Sequence, residues 1–288
     1  MSISTPRNRP KAKTRARLLR IEGGRAIARF DQLVTEEPLE IRLVAGSERA
    51  VVSKTLAVTM RTPGSDFELA AGFLFAEGVI GSRDEVRRIA YCPDPGEPQQ
   101  YNIVNVELKS EMLPDLPLER HFYTSSACGV CGKSGLENLR LRHSRLDSDF
   151  RIPAQTVAQL PQKLRAHQGL FQQTGGLHAA ALYDTGGNLL AVREDVGRHN
   201  ALDKLVGWAL LGSRLPLSQG LVLVSGRASY ELAQKTLAAG IPILASISAP
   251  SSLAVELAEE FNLTLIGFLR DSFNLYTAPQ RIEFDRLP

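Results

Sequence analysis

The chain has 288 residues, 43% hydrophobic and 23% charged, ordinary proportions for a globular protein with room for one large domain or two modest ones. No apolar run approaches the length of a membrane span, the basic N-terminus lacks the apolar stretch of a secretory signal, and three cysteines argue against a disulfide framework and for a reducing cytoplasm. The formal charge of +3 is misleading: residues 1–20 hold seven basic side chains and no acid, and without them 27 basic residues face 31 acids, a net of −4.

That segment, residues 1–20, is expected to be a disordered, solvated basic tail. An arm for nucleic acid is the sharper alternative, but no aromatic residue interleaves the charges, so nucleic acid is not an expected partner. A smaller β-rich unit is expected over residues 21–120, with Arg25–Val34, Leu39–Val44 and Ala50–Met60 as antiparallel strands. Ser65-Asp66-Phe67-Glu68 has the form of a capping box ahead of a helix that Gly78 ends. Cys92 opens a turn-rich loop and is given no role, and Tyr101–Lys109 alternates as a strand.

Residues 121–288 are expected to form an α/β domain. Ala154–Leu170 has helical spacing interrupted at Pro161. Leu177–Tyr183 and Leu189–Glu194 are strands joined by the turn residues Asp184 to Asn188, and Ala201–Leu210 is an amphipathic helix stopped by Gly212. From Gly220 the pattern runs strand, helix, strand, helix, strand (Leu221–Val224, Ser229–Ala239, Ile241–Ile247, Ser252–Phe261, Leu263–Leu269), the signature of a parallel unit buried on both faces.

Two stretches carry chemistry. The first is Ser125 to Gly135, a loop of small residues holding Cys128 and Cys131 in Cys-x-x-Cys spacing, followed by a basic helical pattern over Leu136–Leu146. Lys133 and a following helix N-terminus favour thiolate, the reactive form, and the flanking Gly, Ser and Lys speak against a buried apolar pair. The second is the set of strand ends, where open α/β sheets bind ligands. They read Arg193 to Asn200, Ser225-Gly226-Arg227, Ser248 to Ser252 and Gly267 to Ser272. The first of these is either a solvated turn with an Asp cap or a phosphate and purine site, and the residues leave the two readings even. No glycine-rich dinucleotide or nucleoside-triphosphate loop occurs.

A zinc site is disfavoured. A zinc deaminase needs His-x-Glu upstream of Pro-Cys-x-x-Cys, whereas here Ala127 precedes the pair, and His178 lies downstream with Ala180 in place of the glutamate. A half-site completed by His121, His143 or a second subunit is the weaker option, and no metal is expected. His178 and His199 taken singly read as satisfied polar groups. A thioredoxin-like redox pair would follow a strand inside a βαβ unit, and that context lies elsewhere in the chain.

The chain resembles the FdhD family of formate dehydrogenase accessory sulfurtransferases. The likeness rests on Thr59 to Gly64 with Glu68 to Gly78, Ser125 to Lys133, Thr174 to His178, Glu194 to Lys204, Ser225 to Arg227, Gly240 to Pro242, Ala249 to Ser252 and Gly267 to Arg270. The resemblance implies a cytidine-deaminase-like mixed or parallel sheet flanked by helices, without the deaminase zinc and as a homodimer. It implies that sulfur comes as a persulfide from a cysteine desulfurase and passes to the molybdenum or tungsten bis(molybdopterin guanine dinucleotide) cofactor of the formate dehydrogenase catalytic subunit. On that basis Cys128 would be the persulfide cysteine, Cys131 its relay partner, and Phe268, Leu269, Arg270, Asp271, Ser272 and Phe273 the cofactor-contacting segment. Arg198 and Arg227 are added to that segment from the strand ends. The alternatives are a zinc-dependent deaminase-like hydrolase and a non-enzymatic module that binds the guanine dinucleotide.

Overall fold

The computed structural model describes residues 9–47, 50–92, 99–114 and 145–284. Residues 13–20, expected in a solvated tail, instead belong to β1 (Lys13–Glu22), which pairs antiparallel with β2 (Arg25–Val34). The turn between them is Gly23-Gly24, both at positive φ (55° and 79°), as a tight hairpin requires. The alternation of Arg with Leu, Ile and Ala that makes the segment basic also makes it a strand.

β2 therefore stands apart from the N-terminal sheet. That sheet comprises β3 (Glu37–Ser47), β4 (Ala50–Arg61), β5 (Val86–Tyr91) and β6 (Ile103–Leu108), in the order β4-β3-β6-β5. It is mixed rather than antiparallel, because β3 and β6 run parallel. Leu39, Ile41, Leu43, Val104 and Val106, all fully buried, form its inner face. They pack under α1 (Asp66–Ala76), whose Leu69, Ala70, Ala71 and Leu74 close the core.

The capping box is not used. Ser65 has a left-handed backbone (φ 55°) and its side chain makes no capping bond. Asp66 is drawn instead to the buried Arg61, which holds both carboxylate oxygens at 3.1 and 3.0 Å, and Glu68 is drawn to Arg193. Ion pairing across the fold outcompetes the local cap.

In the C-terminal half, β7 (Ile152–Pro153) precedes α2 (Ala154–His167) and α3 (Gly169–Thr174). The helical pattern does break in two, but at Gln168 rather than Pro161, which is carried inside α2. Then follow β8 (His178–Tyr183), β9 (Leu189–Asp195), α4 (Arg198–Leu211), β10 (Leu221–Val224), α5 (Tyr230–Ala238), β11 (Ile243–Ser246), α6 (Ser252–Glu260), β12 (Thr264–Gly267), β13 (Asn274–Thr277) and β14 (Ile282–Glu283). The six-stranded sheet is ordered β13-β12-β11-β10-β8-β9. β10, β11 and β12 are parallel, as their unbroken apolar runs imply, while β8 and β13 are reversed. β14 pairs with β7 outside this sheet.

α4 is not amphipathic. Residues Asn200 to Gly207 are all buried, because the helix lies between the large sheet and α1. The approach of α1 and α4 is set by two glycines: a Cβ at Gly72 would lie 2.7 Å from the Gly207 nitrogen, and one at Gly207 would lie 2.9 Å from the Gly72 nitrogen. No side chain fits there, so the two halves of the chain meet backbone to backbone. Among the described residues, no helix is long and apolar enough to cross a membrane.

Candidate functional site

β9 runs antiparallel to β8, and β8 antiparallel to β10, so β9, β10, β11 and β12 all point their carboxyl ends to one rim. The start of the reversed β8, His178, joins them there, paired with Asp195 at the end of β9. The loops beyond the strands are laced together. Ala228 bridges Pro250, Ser251 N donates to Ala228 O at 2.9 Å, and Phe268 N and Leu269 N donate to Ser248 O and Ser246 O, both at 3.0 Å. All four strand ends singled out in the sequence thus share one edge of the sheet.

The structure sorts the dense polar run at residues 193–200. Most of it is structural. Arg193 pairs with Glu68 at 2.5 Å, and Glu194 accepts the backbone N–H groups of Leu170 and Phe171 at 3.1 and 2.9 Å. Asp195, fully buried, accepts from Thr62 N and Gly197 N and pairs with Lys204 at 2.6 Å. Asn200 donates to Met60 O at 2.8 Å, and Lys204 to Thr62 O at 2.9 Å. These bonds fasten the Thr59–Thr62 segment of β4 and its exit to the start of α4, so the motif is chiefly a seam between the two halves.

Two members of the run remain at the rim, Arg198 and His199. Arg198 is the first residue of α4, where the helix dipole favours an anion. Its guanidinium has no hydrogen-bond or ion-pair partner among the described residues, and its Nε is buried and unsatisfied. An unmet donor of this kind is costly, and a ligand oxygen would meet it. His178 lies beside it. A Cβ at Gly226 would sit 3.4 Å from His178 Nδ1 and 3.5 Å from Arg198 Cδ, so the glycine is the space between them. His178 Nδ1 is 3.5 Å from Ser225 Oγ, which itself accepts from Ala179 N at 2.9 Å. Burial, and then the Arg198 charge, push the His178 pKa down.

His199 faces Ser229 Oγ and Glu231 Oε2, each 3.3 Å from its Nε2. Burial first, then the positive charges of Arg198 and Lys235, push its pKa down to about 3, which outweighs the nearby carboxylate. The ring is therefore neutral at physiological pH. Because the Glu231 carboxylate only accepts, Nε2 carries the hydrogen and Nδ1 is left as an acceptor.

The segment after β12 divides by residue. Phe268 is 47% exposed at φ 53°, and Arg270, Asp271 and Ser272 are exposed, with Arg270 N bonded to Ser272 O at 2.9 Å. Leu269 is fully buried and Phe273 half-buried, both against the core beneath the sheet. The Leu269 side chain is therefore spent on core packing. Arg227 is exposed at the same rim, whereas Ser229 and Ser251 are spent capping α5 and α6.

Sequence reasoning missed the ion pair behind this rim. Asp203 and Lys235, both buried, meet at 2.7 and 3.0 Å, and Glu231 links them to His199. The signal was present: Asp203 and Lys204 stand in a run of Ala, Leu and Val that should bury every side. Cys128, Cys131, His121, His143 and most of the expected 136–146 helix lie outside the described residues. Cys92 is half-buried, its sulfur 3.9 Å from Arg42 Nη1. Among the described residues no cluster of three or more His, Cys, Asp or Glu side chains is arranged to hold a metal.

Fold and rim together define a class: a mixed α/β protein with a basic, partly unsatisfied polar cluster at the carboxyl ends of its strands. The model of the FdhD/NarQ family matches residues 34–283, and the chain belongs to that family. It is 54% identical to the sulfur carrier protein FdhD of Mycolicibacterium paratuberculosis over 275 residues, 93% of this chain and 98% of that one. The sulfur carrier protein FdhD of Sulfolobus acidocaldarius is 41% identical over 270 residues, again 93% and 98% of the two chains. A crystal structure from Desulfotalea psychrophila, described as a formate dehydrogenase accessory protein, superposes with a TM-score of 0.73 at 26% identity, covering 94% of this chain and all of that one.

Proposed function

We propose that the chain is a cytoplasmic sulfurtransferase that loads sulfur onto a guanine-dinucleotide pterin cofactor held at the rim. The observation that carries this reading is Arg198, a buried, unpartnered guanidinium nitrogen at a helix N-terminus among four converging strand ends. Phosphate is the natural anion for such a site, and Arg227 and Arg270 are exposed on the same rim to meet a second one. The names of the relatives supply the sulfur, and Cys128 and Cys131 supply the thiols. The strand order β9-β8-β10-β11-β12 with β8 reversed supports the cytidine-deaminase-like description. The missing carboxylate at Ala180, and the positive charge of Arg198 beside His178, speak against a deaminase zinc there.

Chemically, the Cys128 thiolate accepts a sulfane sulfur from the persulfide of a cysteine desulfurase, which returns to its thiol. The Cys131 thiolate then attacks the Cys128 sulfur. A Cys128–Cys131 disulfide forms, the outer sulfur leaves as hydrosulfide with the electron pair, and an external dithiol reduces the disulfide. The cargo is the molybdenum or tungsten bis(molybdopterin guanine dinucleotide) destined for a formate dehydrogenase catalytic subunit, and the protein works as a homodimer.

Three measurements test this. Intact-mass analysis after incubation with a cysteine desulfurase and cysteine should show one added sulfur, absent in Cys128→Ser; no adduct on the parent protein refutes it. Calorimetry with GDP should show binding that Arg198→Ala weakens roughly 10- to 100-fold, the worth of a hydrogen bond to a charged group. If Cys128→Ala still supports formate dehydrogenase activity in cells, the protein is a cofactor escort instead.

A further inference from the structure

The rim holds two histidines, and their surroundings set them different tasks. His199 is fixed. Its Nε2 faces Ser229 Oγ and Glu231, and burial with the charges of Arg198 and Lys235 holds its pKa at about 3, too far below physiological pH for a ligand to charge it. His178 is not fixed. It is half-buried at the start of β8, with its Nδ1 3.5 Å from Ser225 Oγ. A carboxylate or carbonyl there would suit only a protonated nitrogen, but a serine hydroxyl donates to a bare nitrogen or accepts from a protonated one. Ala179 N occupies one lone pair of that oxygen, and the other is left for an imidazolium. His178 Nε2 meets no hydrogen-bond partner among the described residues.

The charges that face His178 come from two elements. Asp195, its pairing partner on β9, favours the imidazolium, but that carboxylate is already spent on Lys204, Thr62 N and Gly197 N. On α4, His199 is neutral and Arg198 opposes a second positive charge. The Arg198 stem and the His178 ring meet across Gly226, where a Cβ would lie 3.5 Å from Arg198 Cδ, 3.4 Å from His178 Nδ1 and 3.5 Å from His178 Cε1. Burial and then Arg198 win over Asp195 and hold the His178 pKa below its ordinary 6.5. The part that Arg198 plays lasts only while its guanidinium lacks a counter-charge.

We propose that His178 is a positioning residue for the phosphate of the ligand: it is neutral while Arg198 stands alone beside it, and takes one proton from solvent when a phosphate neutralises Arg198. This rests on the guanine-nucleotide site proposed above. The charged ring then donates from Nδ1 to Ser225 and from Nε2 toward the anion, so that Arg198 and His178 hold it together. Binding and protonation are thereby linked. Over the pH range in which the unliganded ring is neutral and the liganded ring is charged, affinity rises as pH falls, by at most tenfold per unit for one proton.

Calorimetry of GDP binding to the full chain, in two buffers of different ionisation enthalpy, counts the protons taken up. The terminal phosphate of GDP itself titrates near about pH 6, alike for parent and variant, so the difference between the parent and His178→Gln belongs to the histidine. The parent should take up the larger fraction of a proton. Its affinity relative to the variant should rise roughly tenfold as pH falls from about 8 to about 6, because an adjacent opposite charge moves a pKa by about one unit or more. Without ligand, the NMR titration midpoint of the His178 ring should rise in Arg198→Ala. Equal proton uptake with parallel affinity profiles, while Arg198→Ala still weakens GDP binding, overturns the coupling and leaves the nucleotide site standing. A His178 midpoint that Arg198→Ala does not raise overturns the coupling as well. A parent that binds no GDP at any of these pH values overturns the nucleotide site and the coupling with it.

Discussion

Replacing Gly207 with Ala should destabilise the whole protein and loosen its ligand site together. The added methyl carbon would lie 2.6 Å from the Glu68 carbonyl carbon and 2.9 Å from the Gly72 nitrogen, with the Glu68 oxygen closer still. Ordinary carbon contacts begin near about 3.5 Å, so α1 and α4 must separate by an ångström or more. Both obstacles are helix backbone and neither can rotate away. Overpacking a core costs about 1–3 kcal/mol, and a backbone clash belongs at the upper end. For a chain of this size about 3 kcal/mol lowers Tm by roughly 6–12 °C. α4 also carries Arg198 and His199 at its first turn, so GDP affinity should fall in the same variant. Scanning calorimetry and a GDP titration read the two effects. A melting point within about 2 °C of the parent, with GDP affinity unchanged, would refute the claim that the halves share one tightly packed seam.

Lys235→Met should cost about 3–5 kcal/mol in urea unfolding, because it strands the buried Asp203 carboxylate, and adding Asp203→Leu should recover most of that loss; equal losses in the single and double variants would show that the pair does not matter. His199 is held neutral when folded, with a pKa near 3, but titrates near its ordinary 6.5 when unfolded. The unfolded chain therefore binds the extra proton between those values, and stability falls as pH drops through that window, by up to about 1.4 kcal/mol per unit. Urea midpoints of His199→Gln should lose that part of the acid slope, and profiles parallel to the parent would contradict the assignment. Leu269→Ala should cost about 2–5 kcal/mol as a core truncation, whereas Phe268→Ala should leave Tm nearly unchanged and weaken GDP binding; the reverse pattern would place the ligand on the other side of this turn.

Much of the C-terminal architecture was legible because local signals and tertiary demands agree there. The apolar strands, the two helices between them and the Asp184–Asn188 turn each read correctly in isolation. β5 and β13 were not legible. Val86–Tyr91 carries two exposed arginines, Asn274–Thr277 has two of its four residues exposed, and each is a strand only because a neighbour offers an edge. β1 failed for the opposite reason: charge was read as solvation, where alternation was the stronger message. Of the candidate site, the rim was found by its strand ends, but the division of labour within it was not. Asp195 and Arg198 look equally polar in the sequence, yet one is sealed in a seam and the other left open.

The amino-acid order alone determined the parallel strand-helix unit, the cysteine pair, the glycine turns and the identity of the polar residues at the strand ends, because each depends on neighbours within a few positions. Only the tertiary structure decided which of those polar residues are consumed and which remain for a ligand. A charged side chain is spent or spare according to what the rest of the chain brings within about 3 Å of it. For Asp195, Lys204 and Asn200 that partner comes from Met60 and Thr62, more than a hundred residues away, and for Arg198 no described residue brings one.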